Sequence, residues 1–385
     1  MAFHSQQDSA SRRAAPGTVG LLADDLTGAL DAAAPFASKD MPVAVVWARD
    51  RASRRESFAF DTETRDSDPI AASERVGALL QRLQGYPIAF KKVDSLLRGN
   101  TMAELSACCA SKEFGAVVIA PAFPDQGRVT RGGRQFARDA EGAWIPVGAD
   151  IVEAVAGKRR RAKVVKPGEA LEGGGIAVCD AETPSDLARL TAARGTLPEP
   201  VLWCGSAGLA RALAGQNSNP SRPTGRRRLV LVGSPHGVAM NQLLRTREQF
   251  PRQIAIVRGP NDIDPVAAWV EADMDAHGVA VVAFAMEACD PAAAADLHCA
   301  TFARFGGLTA PDLLVVVGGD TLFRLSDALG ANRLDAIGEW MPGVAVSRFA
   351  DGSWKGATVI SKSGAFGGSD ALVQIIKATD GREHA

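Results

Sequence analysis

The sequence predicts an α/β protein of two domains, each a mostly parallel sheet flanked by helices. Short apolar runs alternate with segments that carry apolar residues at helical spacing, and this order repeats through both halves of the 385 residues. A polar, proline-containing gap over 215–228 separates the halves and is interpreted as a linker. It places one domain at 18–214 and the other at 229–385.

Composition restricts the class of protein. Apolar residues make up 46%, charged residues 23%, and the formal net charge is −1, as in an ordinary globular protein without a nucleic-acid or membrane surface. The six cysteines show no C-x-x-C spacing, which argues against a disulfide framework or structural zinc and fits a reducing cytoplasm. No apolar stretch approaches the roughly 20 residues that cross a bilayer. We therefore expect a cytoplasmic protein.

The first predicted strand, 19–23, ends at two adjacent acids, Asp24 and Asp25. A helical pattern follows over 26–36. Acids at the carboxyl end of a buried strand are placed for chemistry, whereas an acid before a helix also stabilises the helix N-terminus. We assign the functional role to Asp24 and the structural role to Asp25.

Strands are next predicted at 41–47 and 57–60, and a helix at 71–83. The second of these strands leads into a polar turn that contains Arg65. An arginine here is commonly a surface residue, but its planar fork of donors also suits a carboxylate.

The densest polar cluster of the first half follows a strand at 88–90 and precedes a helix at 103–110. Its cations, carboxylate and hydroxyl would suit a small polyhydroxy acid, with the cations holding the carboxylate. The alternative is a local surface ion pair between Asp94 and Arg98, which would contribute little. The candidate residues are Lys92, Asp94, Ser95, Arg98 and Asn100.

The rest of the first half continues the alternation. A rigid, proline-rich loop over 121–128 ends at Arg128, which is a candidate for the same cleft. Periodicity is weak over 130–166, where we expect loops and short elements. Strands are predicted at 116–120, 175–179 and 201–204, and helices at 184–193 and 209–214.

The second half contains three apolar strands, each followed by a glycine turn and a helix. Side-chain-free turns at helix N-termini present backbone N–H groups and a positive dipole end, which suit a phosphate. An ordinary βα turn is the alternative for any one of them, and neither a P-loop nor a G-x-G-x-x-G fingerprint is present. The strands are 229–232, 313–317 and 357–360, and the helices 238–248, 322–329 and 370–378. Further strands are predicted at 255–257, 279–284 and 344–348, and helices at 265–276 and 290–305.

Several segments together resemble the four-carbon acid sugar kinase family. The front-half segments are 23–29 (Ala-Asp-Asp-Leu-Thr-Gly-Ala), 92–100 (Lys-Val-Asp-Ser-Leu-Leu-Arg-Gly-Asn), 120–124 (Ala-Pro-Ala-Phe-Pro) and the pair Gly127-Arg128. The back-half segments are 318–321 (Gly-Gly-Asp-Thr) and 362–367 (Lys-Ser-Gly-Ala-Phe-Gly).

The resemblance implies an ATP-dependent kinase that phosphorylates the terminal hydroxyl of a four-carbon sugar acid in a cleft between the domains. The implied substrate residues are Asp24, Arg65, Lys92, Asp94, Ser95 and Arg98. The implied ATP residues are Ser234, Gly318, Gly319, Asp320, Thr321, Gly364 and Gly367. In the expected mechanism a carboxylate accepts the hydroxyl proton, with Asp24 as the first candidate and Asp94 as the second. Asp320 would contact Mg²⁺.

The chain departs from the family pattern at four positions, His236, Met240, Leu96 and Ala365, which bears on substrate identity and activity. Two alternatives stay open. One is a catalytically silent sensor of a sugar acid or nucleotide, and the other is a nicotinamide-dependent dehydrogenase. Small-molecule partners are expected, without nucleic acid or membrane, and a homodimer stays open.

Overall fold

The computed structural model describes residues 17–47, 56–139, 141–155, 162–215, 220–285 and 291–381. Residues 1–16 and residues 216–219 of the predicted linker lie outside this part. The chain divides into two compact units, one of residues 1–36 and 42–218 and one of residues 37–41 and 219–385. Each contains a mostly parallel sheet with helices, which confirms the predicted α/β class.

The strands of the first unit are β1 (Val19–Ala23), β2 (Val43–Val46), β3 (Phe58–Asp61), β4 (Ile88–Lys92), β5 (Ala116–Ala120), β6 (Arg128–Arg131), β7 (Arg134–Arg138), β8 (Trp144–Pro146), β9 (Ala162–Val165), β10 (Gly175–Cys179) and β11 (Val201–Gly205). Its helices are α1 (Leu26–Ala33), α2 (Pro69–Leu79), α3 (Thr101–Ala110), α4 (Ile151–Val155), α5 (Pro184–Ala192) and α6 (Ala207–Ala214).

The main sheet of the first unit has the strand order β2-β3-β1-β4-β11-β5-β10-β9, and every described pair in it is parallel. The chain first builds to one side of β1, through β2 and β3, and then to the other side, through β4. A crevice forms at such a reversal, outside the carboxyl ends of the strands. The loops after β1, β3 and β4 therefore meet there.

A second, antiparallel sheet of β6, β7 and β8 occupies much of the segment where the sequence predicted loops and short elements. Its strands have three to five residues and carry several arginines, so the alternation of apolar residues is weak. Sequence periodicity could not reveal this sheet.

The strands of the second unit are β12 (Arg228–Val232), β13 (Ile254–Val257), β14 (Val279–Phe284), β15 (Leu313–Val317), β16 (Arg333–Met341), β17 (Val344–Phe349) and β18 (Thr358–Lys362). Its helices are α7 (Gly237–Gln249), α8 (Ile263–His277), α9 (Pro291–Phe305), α10 (Gly319–Ala328) and α11 (Ala371–Ala378). Within the described ranges, no helix combines the length and apolarity needed to cross a bilayer.

Within the second unit the strand order is β13-β14-β12-β15-β18-β17-β16. The first five strands are parallel, and β17 pairs antiparallel with both β18 and β16. The sequence analysis missed β16, because this strand contains Asp335, Gly338 and Glu339, which are poor strand formers, and its register shifts twice. Strands β12, β15 and β18 are neighbours, so the three glycine turns lie side by side.

A buried ion pair lies in the first unit, behind the carboxyl end of β4. Lys91 Nζ lies 2.7 Å from Glu104 Oε2, and the two side chains are 1% and 3% exposed. Thr64 Oγ1 donates to the other oxygen of Glu104, and Thr62 Oγ1 donates to the carbonyl of Ala23 at 2.8 Å. The pair thus connects β4 and α3 to the loop that follows β3.

Glu104→Gln should lower the free energy of unfolding by about 3–5 kcal/mol, because it leaves Lys91 buried without its counter-charge. Urea denaturation followed by circular dichroism measures the change. Glu182→Gln is the matched control, since it breaks the exposed pair with Arg131 and should change stability by less than about 1 kcal/mol. Equal losses in the two variants would contradict the importance of the buried pair.

Candidate active site

Arg65 lies at the centre of the polar cluster formed by the loops after β1, β3 and β4. Its guanidinium donates from Nε to Asp24 Oδ2 at 2.9 Å and from Nη2 to Asp24 Oδ1 at 3.1 Å. Nη1 donates to Asp25 Oδ2, and Nη2 lies 3.5 Å from Asp94 Oδ2. Arg65, which lies on the loop after β3, therefore joins acids from the loops after β1 and β4.

The backbone fixes Arg65 in this position. The N–H groups of Thr64 and Arg65 both donate to the carbonyl of Asp24 at 3.2 Å, and the N–H of Thr62 donates to Ala23 at 2.7 Å. The loop after β3 is thus hydrogen-bonded along the end of β1. Arg65 is not the ordinary surface arginine that the sequence left open, since its side chain is 23% exposed and is bound by carboxylates.

Asp94 organises the turn that follows β4. Its Oδ1 accepts from the N–H of Leu96 at 2.8 Å and from Arg98 Nε at 3.2 Å, and its Oδ2 accepts from Arg98 Nη2 at 2.7 Å. Leu97 has a φ of 57° in this turn, a conformation that side chains with a Cβ rarely adopt. Because Asp94 is buried and also faces Arg65, the contact with Arg98 is more than a local surface pair.

Lys92 lies deeper, beside a carboxylate that the sequence analysis did not select. Its Nζ is 3.4 Å from Asp31 Oδ1, and both side chains are buried. A Cβ built on Gly28 would lie 2.5 Å from Asp25 Oδ1 and 3.3 Å from Lys92 Nζ, so this close packing requires glycine. The helical spacing of Asp31 three residues after Gly28 is a signal that could have indicated it.

Two further residues complete this cluster. Ser95 is buried directly after Asp94, and its carbonyl accepts from Gln135 Nε2 at 2.9 Å. Arg128 is buried, and burial lowers its pKa to about 10 although the charge of Asp94 raises it. Arg128 therefore belongs to the same group of charges, as the sequence analysis suggested.

Burial raises the pKa of every carboxyl in the cluster, and the nearby cations decide the net direction. For Asp24, the attraction of Arg65 and Lys91 outweighs burial and the pKa is lowered. For Asp94, burial is outweighed by the hydrogen bond from Arg98 and the charge of Arg65, so its pKa is also lowered. For Asp25, burial and the charge of Asp24 outweigh Arg65 and the pKa is raised. Burial raises the pKa of Asp31 to about 7, against the charge of Lys92.

In the second unit, the three predicted glycine turns are in contact. A Cβ on Gly233 would overlap Thr321 Oγ1, and a Cβ on Gly364 would overlap Ser234 Oγ. Gly318 has a φ of 119°, and a Cβ there would lie 3.3 Å from the backbone nitrogen of Ser234. The glycines therefore allow the turns after β12, β15 and β18 to pack together.

Gly367 lies further along the third turn, with a φ of 84°. The amide of Gln242, on α7, donates to the carbonyls of Phe366, Gly367 and Gly368 at 3.1, 3.2 and 2.9 Å. The sequence analysis did not select Gln242 as a site residue. His236, one of the four departures from the family pattern, caps α7 by accepting from the N–H of Val238 at 3.2 Å.

Asp320, the predicted metal contact, lies in the first turn of α10 directly after Gly319. Its carboxylate is 62% exposed, and Oδ2 accepts from Arg324 Nε at 2.7 Å. The described ranges contain no cluster of three or more His, Cys, Asp or Glu side chains arranged to hold a metal. A cation at Asp320 would therefore take most of its ligands from a bound molecule and water, as Mg²⁺ does with phosphates.

In comparisons with known proteins, two different domain families match the two parts of the chain that contain these clusters. A family described as "Sugar-binding N-terminal domain" matches residues 19–155 and 141–213. A second, described as "Nucleotide-binding C-terminal domain", matches residues 229–372. The acid and arginine cluster falls in the first match and the glycine turns fall in the second.

Three characterised relatives resemble the chain over nearly its whole length. A D-threonate kinase from Cupriavidus necator is 32% identical, over 91% of this chain and 95% of that protein. A D-threonate kinase from Bordetella bronchiseptica is 29% identical, over 94% and 97%. A D-erythronate kinase from Heliobacterium modesticaldum is 26% identical, over 92% and 95%.

Solved structures share the fold at lower sequence identity. A protein from Salmonella typhimurium LT2 superposes with a TM-score of 0.72 at 21% identity and covers 93% of this chain and 98% of its own. A protein from Haemophilus influenzae superposes with a TM-score of 0.63 at 19% identity, covering 93% and 99%.

Asp31→Asn should flatten the pH dependence of stability between about pH 4 and pH 7. In this window folded Asp31 keeps a proton that the unfolded chain releases, so the stability it contributes is complete below pH 4 and lost as the pH rises through about 7. The linkage slope for one proton is about 1.4 kcal/mol per pH unit. Urea unfolding at several pH values measures it, with Asp327→Asn, an exposed acid, as the control. Parallel curves for wild type and Asp31→Asn would contradict the expectation.

Proposed function

This chain belongs to the four-carbon acid sugar kinase family, and we propose that it transfers the γ-phosphoryl group of ATP to the C4 hydroxyl of a four-carbon sugar acid. D-threonate, D-erythronate and 3-oxo-tetronate are the candidate acceptors. The observation that carries the proposal is the joining of Asp24, Asp25 and Asp94 by Arg65 in the first unit. Family membership favours a kinase over the dehydrogenase and the silent sensor.

The acid would bind where the cations of the first unit converge. Arg98 is the most accessible of them, with 44% of its side chain exposed, and it could hold the substrate carboxylate while it keeps its contact with Asp94. Lys92 and Arg65 are bound to protein carboxylates, so they would orient those acids toward the sugar hydroxyls and supply positive charge. Ser95, which is buried directly after Asp94, would be a hydroxyl partner.

The nucleotide would bind at the glycine turns of the second unit. Its phosphates would lie against Ser234, the segment Gly318 to Thr321, and Gly364 and Gly367. The turn after β15 leads into the N-terminus of α10, where the helix dipole favours negative charge. Mg²⁺, held by Asp320 together with phosphate oxygens, would neutralise part of the phosphate charge.

Phosphoryl transfer depends mainly on positioning and charge neutralisation, with one group to accept the hydroxyl proton. Asp24 and Asp94 each have both oxygens bound by a guanidinium, and both have lowered pKa values. Asp25 has a raised pKa and is 19% exposed, compared with 2% for Asp24. Asp25 also has the structural role that the sequence predicted, since its Oδ1 caps α1 by accepting from the N–H of Gly28 at 2.7 Å. On its pKa and exposure we favour Asp25 as the proton acceptor and give Asp24, the first choice from the sequence, the role of orienting Arg65.

Purified protein with ATP and Mg²⁺ should release ADP in the presence of at least one four-carbon sugar acid and not in its absence. Gly364→Ala should abolish the reaction, because the new methyl group would overlap Ser234 Oγ in the nucleotide turn. Gly259→Ala, where a Cβ meets nothing within 4 Å, is the matched control and should stay active. Nucleotide binding without turnover of any acid in the panel would instead support the sensor.

Asp25→Asn should lower kcat by about 10²- to 10⁴-fold, the usual contribution of a general base, and remove the acid limb of the kcat/KM profile. Asp24→Asn should act mainly on KM for the acid, because it releases Arg65 from its bidentate contact. Steady-state kinetics of both variants across pH separate the roles. A loss of kcat in Asp24→Asn with normal kcat in Asp25→Asn would return the role of base to Asp24.

A further inference from the structure

The third glycine turn, residues 363–368, is supported by two buried side chains. Gln242 donates to its last three carbonyls, as described above. Lys362, the last residue of β18, donates from Nζ to the carbonyls of Ser363 at 2.9 Å and Phe366 at 2.7 Å. The carbonyl oxygens of Ser363, Phe366, Gly367 and Gly368 therefore face these two side chains.

This arrangement determines how the other side of the turn is oriented. In a trans peptide group the N–H points opposite to the C=O. With the carbonyls held by Lys362 and Gln242, the N–H groups of the same peptides point away from them. The turn thus has the Lys362 amine on one side, and the N–H of Gly364, the glycine against which Ser234 packs, points away from it. Both features favour an anion on the side to which this N–H points.

Among the residues that the structure describes, Lys362 has no acidic partner to balance its charge. The side chain is 0% exposed, and no carboxylate of the described residues lies within ion-pair distance of its Nζ. The elements around Lys362 are β17, α7, α10 and α11. Their charged residues, and the charged residue before α11, have side chains that are partly or largely exposed to solvent. They are Arg348, Arg245, Arg247, Glu248, Asp320, Arg324, Asp327, Asp370 and Lys377. A further titratable side chain close to the turn is His236, whose Cβ would lie 3.3 Å from a Cβ built on Gly364.

A buried ammonium without a counter-ion is unfavourable, and such a group tends to lose its proton. Burial lowers the pKa of Lys362 to about 7. The protonation state of Lys362 near neutral pH therefore depends on the charge of any molecule bound at the turn. This property would serve no purpose in a lysine that only ties carbonyl groups together.

We propose that Lys362 is the counter-charge of the nucleotide turn, and that binding of a nucleotide's phosphate groups draws a proton from solvent onto its Nζ. This inference rests on the nucleotide site proposed above. The phosphates bring negative charge to one side of the turn and favour the ammonium on the other side. The lone pair of the neutral amine accepts the proton, and no covalent bond of the nucleotide changes.

The uptake of a proton by Lys362 determines how nucleotide affinity changes with pH. Below pH 7 the free protein already carries the charged form, so little proton uptake accompanies binding. Above pH 7 each bound nucleotide takes up to one proton, and its association constant falls by up to about tenfold per pH unit. Nucleotide affinity should therefore decline from pH 7 toward pH 9.

Isothermal titration of the full-length protein with ADP at pH 8.5, in two buffers of different ionisation enthalpy, measures the proton uptake directly. We expect between about half a proton and one proton per ADP in the wild type. Lys362→Arg keeps the charge at every pH and should bind ADP with no uptake. Lys362→Met removes the charge and should bind more weakly at pH 7, also with no uptake. His236→Asn is the matched control and should retain the wild-type uptake.

ADP binding by the wild type without proton uptake would overturn the role of Lys362 and leave the nucleotide site intact. Uptake that persists in Lys362→Arg, or disappears in His236→Asn, would assign the proton to another group and also overturn it. No ADP binding by the wild type at any pH would overturn the nucleotide site and this inference together. If Lys362→Met does not fold, the wild type and Lys362→Arg decide the question.

Discussion

The contact of one guanidinium with three carboxylates is the interaction on which the first unit's site depends. Arg65 is held by backbone hydrogen bonds to the end of β1, and it bonds Asp24 and Asp25 from that strand while it faces Asp94 from the turn after β4. Without this cation, three acids would lie together at partly or fully buried positions, where like charges repel and burial opposes ionisation. Parallel pairing of β1 with β3 and β4 makes the contact geometrically available.

The same contact gives similar residues different chemical properties. Asp24 and Asp25 are adjacent in the chain, yet their pKa values move in opposite directions. Asp24 receives two hydrogen bonds from Arg65 and further attraction from Lys91, whereas burial prevails for Asp25. Pairs of carboxyls whose environments separate their pKa values are typical of sites where one group orients and the other exchanges a proton.

The second unit assembles the nucleotide site proposed above by different means. Its three turns owe their contact to the absence of side chains at Gly233, Gly318 and Gly364, and the buried amide and amine of Gln242 and Lys362 hold the carbonyls of the third turn. The departures from the family pattern are compatible with this packing. Ala365 is buried within the turn, and His236 supplies the cap of α7.

The sequence by itself determined the α/β class, most strands and helices, and the segments from which each site is built. It could do so because buried parallel strands are continuous apolar runs, and because glycines and charges at strand ends are visible in one dimension. It missed β16 and the small antiparallel sheet, where short, polar or bulged strands weaken the alternation. Only the tertiary structure revealed that Asp31 meets Lys92, that Lys91 pairs with Glu104, and that Lys362 is buried with no acid of the described segments beside it. These properties depend on distance and desolvation between residues far apart in the chain, and neither quantity can be derived from residue order.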